Sequence, residues 1–262
     1  MSKHAALDTF GRSGNPAIRS SAFDTRASSG SERMTLDGAV NKTAIMLAIL
    51  ISTAAISWNF PSPLIVMISY IGIFAAGIAS VVTFGFWIPF IGFVINPRPY
   101  LAPKTWLVFA VGEGFFIGLI SLSFETMFPG IVLEAVSLTF CVAATLLFLY
   151  KSGIVKPSQN FVLMLCSAIF GIFLFYIGVF IYSLVTGVSP EIFSGSSNAS
   201  IGLSLFIVAI AAFSLVLDFD IIEQSAEYGS PKYMEYFGAM ALVTTLIWLY
   251  IEILRLLAKL RR

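Results

Sequence analysis

Two aspartates and a glutamate close a long apolar run in LVLDFDIIEQ, residues 215–224. Residues 192–217 hold no Asp, Glu, Lys or Arg, so Asp218, Asp220 and Glu223 are expected where a membrane segment meets water, or slightly inside it. Ionisable groups in lipid are costly; they face a bundle interior or a water-filled path and mark ion and proton routes. Asp218 and Asp220 are two residues apart, about 200° around a helix, and cannot share a pocket unless the helix ends there. Asp220 and Glu223, three apart, can share a face. Carboxylate oxygens suit calcium, and close carboxylates raise one another's pKa. Two readings stay open: a site for a proton or a transient calcium ion at Asp218 and Asp220, or solvated interface charges.

Three further acids lie in apolar sequence. Glu113 stands midway along its segment and is the deepest by position; it is either a neutral acid bonded to a neighbouring helix or a group on an ion pathway. Glu134 falls in the first turns of its segment. Glu252 lies late in the last segment with Arg255 three residues on, the spacing of an ion pair at a helix end. Other chemistry is sparse. The one histidine, His4, lies in a polar tail, which removes His-based metal sites and a Ser-His-Asp triad. Cys141 and Cys166 both fall in apolar segments and read as structural thiols. No phosphate-cradling loop occurs. No nucleophile–base or metal-ligand set points to an enzyme, no cofactor is implied, and a net charge of +1 does not suggest nucleic acid.

The elements that must position these acids are membrane helices. Hydrophobic residues make up 58% of the chain and charged ones 11%, against roughly 25% charged in soluble domains. Thr43–Pro97 and Pro157–Pro190 contain no charged residue. A helical crossing takes about 20 apolar residues, and the runs lack the alternation of a barrel. Seven helices are expected, near Thr43–Trp58, Pro63–Ile95 (kinked at Pro89), Thr105–Ser123, Gly130–Tyr150, Phe161–Val185, Ile201–Ile221 and Met234–Leu257. Ala110, Gly114 and Gly118, spaced by four, read as a close-packing face. Residues 1–42 are polar, lack the apolar core of a secretory signal and are expected to be a disordered tail before a membrane domain over 43–262.

Basic residues orient the chain. Lys3, Arg12, Arg19, Arg26, Arg33 and Lys42 precede the first helix. Arg98 and Lys104 lie in the second connection, Lys151 and Lys156 in the fourth, Lys232 in the sixth, and none in the first, third or fifth. The N-terminus is therefore expected in the cytoplasm. Seven crossings would put Lys259, Arg261 and Arg262 outside, against the pattern. A re-entrant last segment is the alternative; seven crossings are preferred because Met234–Leu257 is long enough to span.

IVLEAVSLTF (131–140), EGFFIGLIS (113–121) and LDFDIIEQ (217–224) resemble the fourth, third and sixth helices of the Bax-inhibitor family. MTLDGAVNKTAI (34–45) and SPKYMEYFGA (230–239) resemble a bacterial branch, which would place the chain in a bacterial cytoplasmic membrane. The resemblance implies seven helices with the last one central. It also implies a pH-sensitive calcium leak gated by one aspartate in the sixth helix and one in the seventh. A second implied role is modulation of a membrane protease, or of stress signalling. The sixth-helix aspartate maps to Asp218 or Asp220, with Asp218 favoured on counting back from Gly229. The seventh-helix aspartate does not carry over: counting reaches Val243 or Thr245, and Glu252 falls about two turns further on. A neutral Thr244 or Thr245 cannot raise the pKa of Asp218 by charge repulsion. The arginine that bacterial relatives place late in the second helix is also absent, since residues 43–97 hold none.

The residues thus support a calcium or cation leak channel using Asp218 and Asp220, with Glu113 and Glu252 as further ion-binding or gating candidates. The alternative is a non-conducting regulator that binds a membrane protease or another membrane protein.

Overall fold

The seven apolar runs fold as seven long helices in a computed structural model that describes residues 32–88, 93–95, 97–155 and 157–262. They are α1 (Leu36–Asn59), α2 (Pro63–Phe84), α3 (Ala102–Met127), α4 (Ile131–Lys151), α5 (Gln159–Thr186), α6 (Asn198–Glu227) and α7 (Tyr233–Leu260). Each is long and apolar enough to cross a membrane. Local chemistry sets several ends. Thr35 caps α1 by accepting from Gly38 N, and Ser158 caps α5 by accepting from Phe161 N. Ser62 caps α2, with Pro63 in the first turn, where its missing N–H costs nothing. At the start of α4 the Glu125 carboxylate accepts from Gly130 N at 2.6 Å and Val132 N at 3.1 Å.

Two expected boundaries move. The second helix does not run to Ile95: Gly85, at φ 77°, ends it, and Phe86–Ile88 pairs antiparallel with Phe93–Ile95 as a short hairpin. Pro89, expected to kink that helix, lies outside the described residues. The tail boundary expected at residue 42 also moves, because α1 begins at Leu36 and residues 33–34 already pair with the last connection. The physical cause is the Thr35 cap, which lets polar sequence start the helix.

The fold divides into two compact units. The first holds the described residues up to Ser123 together with Asp220–Thr244; the second holds Phe124–Phe219 and Thr245–Arg262. Helices α6 and α7 supply segments to both. Of the seven helices α7 is the most enclosed, with 67% of its central window buried against 17% in α2 and in α4. Large apolar side chains such as Phe74, Phe148 and Phe180 are exposed on the outer helices, as a lipid solvent allows.

In the first unit, small residues bring backbones together. A Cβ on Gly114 would run into Leu50 and Thr53 of α1, and one on Gly118 into Ala54 and Ser57. Ala110 is fully buried. The expected packing face is therefore the α1–α3 contact. Gly112, off that register, meets Gly72 of α2.

The last segment is one continuous helix of 28 residues, not a re-entrant loop. Its start lies by the chain's N-terminal segment, since Met34 N donates to Ser230 O at 2.7 Å and Lys232 N to Glu32 O at 3.0 Å. Its end lies by the third connection and the first turn of α6: Arg261 donates to Pro129 O at 2.8 Å, and Lys259 to Ser200 O at 3.2 Å. Two of the basic residues that break the charge pattern, Lys259 and Arg261, are thus held by protein acceptors.

Candidate functional site

Asp218 is completely buried, within a helix whose Leu215, Val216, Leu217, Ile221 and Ile222 are buried too. It does not end its helix: α6 runs on to Glu227, about 14 Å further. The expectation of acids at a helix terminus is corrected here. Ile221, Ile222 and Ser225 pack inside the protein, and Ser225 Oγ donates back to Ile221 O at 2.6 Å, so the helix extends beyond its apolar run. With the helix continuing, Asp218 and Asp220 point apart. Asp220 is half-buried and accepts from Gln224 Nε2 at 2.7 Å, one turn on. Glu223 is half-buried as well.

Glu113 occupies the middle of α3. Phe109 and Ile117, four residues to either side, are buried at 1% and 6% exposure, so this face looks into the first unit. The flanking Gly112 and Gly114 press on α2 and α1. Glu113 nevertheless keeps partial exposure, and no hydrogen bond or ion pair joins it to another described residue. Such a carboxylate is a neutral acid or is reached by water.

A buried carboxylate that sequence reasoning missed is Glu235, in the first turn of α7 and 2% exposed. Its Oε1 accepts from both Thr35 N and Thr35 Oγ1 at 3.1 Å. Gly38 permits the approach, since a Cβ there would overlap the carboxylate. Beside it the exposed Glu32 and Lys232 pair; each holds the other charged, so the Glu32 carboxyl lies below its ordinary value of 4.5 and the Lys232 ammonium above 10.5. In the sequence, Glu235 looks like any polar residue near a helix start. Only the 200-residue return of the chain gives it a partner.

At the other end of α7, Glu252 is 2% exposed and closed off by neighbours. Tyr176 Oη donates to its Oε1 at 2.6 Å, and Arg255 donates to both oxygens at 3.1 and 3.3 Å. The expected i, i+3 pair is present, with Tyr176 as a third member. Lys259, one turn beyond and 5% exposed, donates to Ser204 Oγ at 2.8 Å and to Ser200 O. Glu134, near the start of α4, pairs with Arg261 at 2.7 Å.

The four candidates are divided between the two units. Asp218 and Glu252 belong to the second unit, Asp220 and Glu113 to the first. Val243 and Thr245, the two positions to which the resemblance maps an acid, are both buried, Val243 in the first unit and Thr245 in the second. Among the described residues no three His, Cys, Asp or Glu side chains gather as a metal would require.

Seven spanning-length helices with carboxylates enclosed among them define a polytopic α-helical membrane protein. The family model described as Bax inhibitor 1 like matches residues 15–262, nearly the whole chain. The protein belongs to that family. Searches of curated proteins and of solved structures return no match.

Proposed function

We propose that this protein is a cation leak pathway, calcium its main permeant ion, with Asp218 as the principal carboxylate. The observation that carries the reading is the complete burial of Asp218 in an otherwise apolar stretch of a spanning helix. A carboxylate is kept in such a place at a cost of several kcal/mol when charged, and its return is to hold a proton or a passing cation. Asp220, half-buried on the opposite side of α6, is a second stop. Glu113, interior-facing in α3, is a third. With so few carboxylates together, a bound calcium ion is transient, because a stable site takes 6–8 oxygens. Protonation of a carboxylate competes with the cation, so flux rises with pH. The N-terminus lies on the cytoplasmic side, a reading the basic connections support; a bacterial inner membrane is the reading the resemblance supports.

The test is calcium flux in proteoliposomes at about pH 6, 7 and 8. Asp218→Asn should abolish the pH dependence and most of the flux, and Asp220→Asn should weaken it. Equal flux in wild type and the double variant would remove both residues from the path.

A second reading has its own support: Val243 and Thr245, the positions to which the resemblance maps a second acid, are neutral, and Glu252 is paired with Arg255. On this reading the protein conducts nothing and regulates a membrane protease or another membrane protein. Liposomes silent at every pH, with a partner that co-purifies, would favour it.

A further inference from the structure

The connection between α5 and α6 does not simply arch over the helix ends. It folds back along α5. Phe193 comes seven residues after Thr186, the last residue of α5, yet its ring meets Tyr176 edge-on at 5.9 Å and Phe175 at 6.4 Å. Tyr176 stands ten residues before that end, so the chain descends again by about 15 Å. Gly187, at φ 72°, makes the reversal.

Two cations of α7 hold this descending segment. The Arg255 guanidinium lies 4.7 Å from the centre of the Phe193 ring. Arg255 is itself fixed from behind by Glu252 and Tyr176. The far end is tied through Ser200, whose Oγ donates to Gly195 O at 2.9 Å and whose carbonyl accepts from Lys259. Arg255 and Lys259 are four residues apart and so share one face of α7. Ahead of Phe193 the segment presents side chains to its surroundings: Glu191 and Ile192 are exposed, and Val188 is 66% exposed. A four-residue helical turn, Glu191–Ser194, carries Phe193 as its single aromatic anchor.

We propose that residues 188–197 form a strap latched onto α7 by the stacking of Phe193 on Arg255, and that its release admits ions to the second unit from this face. Everything named in the latch belongs to that unit, as does Asp218. The Glu252–Arg255 pair presents Phe193 with a cation whose counter-charge is already satisfied, so the guanidinium is held in place by the pair and remains free to stack. Lifting Phe193 leaves that pair intact and uncovers it, which makes the strap the part that moves and α7 the part that stays. The admission of ions rests on the cation pathway proposed above; the latch does not.

The experiment couples two readouts on purified full-length protein. The first is cleavage after Glu191 by a glutamate-specific protease, located by mass spectrometry, since a helical turn must leave its seat to be cut. The second is calcium flux in proteoliposomes. Phe193→Ala should speed cleavage on the order of tenfold, the loss of one partly desolvated cation–π contact. Phe193→Tyr, which keeps the ring, should not. Arg255→Lys, which keeps the charge beside Glu252 but not the flat stacking surface, should speed cleavage as well and guards against misfolding of the alanine variant. Flux should rise in Phe193→Ala and fall again when Asp218→Asn is added. Cleavage at wild-type rate in both Phe193→Ala and Arg255→Lys overturns the latch. Faster cleavage with unchanged flux, in a protein that conducts, overturns the gating role. Faster cleavage with no flux in any variant leaves the latch standing and removes the cation pathway instead.

Discussion

Charged residues in this protein differ in worth by their burial, and substitution should expose the difference. Glu235 satisfies the backbone N–H of Thr35 in a site that is 2% exposed. Glu235→Ala leaves that donor without its acceptor, and a loss of about 1–3 kcal/mol is expected, read as a lowered Tm in detergent. Glu32, three residues before Thr35, pairs with Lys232 on the exposed surface. Because its folded pKa is depressed, whatever that pair contributes is present above the ordinary glutamate value of 4.5 and is lost as pH falls through the lower folded value. Exposed pairs contribute little, so Glu32→Gln should leave Tm unchanged at pH 7. At the far end of α7, Arg255→Ala strands Glu252 in a buried position, and up to about 3–5 kcal/mol is expected by the same unfolding measurement. If Tm does not move, the Tyr176 hydroxyl alone suffices to hold the carboxylate.

Helices α1 and α3 pack through glycines because a membrane offers no hydrophobic force to bring helices together. Association then relies on close van der Waals contact, which small residues permit. Gly118→Leu drives a side chain into the backbone of Ala54 and the hydroxyl of Ser57. The expected cost is about 1–3 kcal/mol or more, seen as poor yield of monodisperse protein, whereas Gly171→Ala, which meets open space, should be silent. The spacing of Ala110, Gly114 and Gly118 was visible in the sequence because it repeats every four residues. Gly112 was not, since it breaks that repeat and its partner, Gly72, lies on a different helix. The same limit explains the second helix: an apolar run continues through the hairpin to Ile95, so hydropathy saw one segment where Gly85 makes two.

At the scale of the whole chain, the two ends of the last helix have different neighbours. Its start is stitched to residues 32–35 and its end to the third connection and the first turn of α6. Tags at the two termini should therefore become accessible to an impermeant reagent from opposite sides of the membrane. Labelling of both from one side would mean that α7 does not cross. The sequence by itself determined the number of spanning segments, the small-residue face of α3 and the family, because long uncharged runs and ordered motifs are local properties. It also singled out Asp218 and Asp220 as acids closing an apolar run, without telling that Asp218 is the fully buried one. Only the tertiary structure decided which acids are enclosed and by whom. Glu252 gains Tyr176 from 76 residues away, Lys259 gains Ser204 from 55, and Glu235 gains Thr35 from 200. Partnership of a buried charge depends on which distant helix faces it, and no spacing along the chain records that.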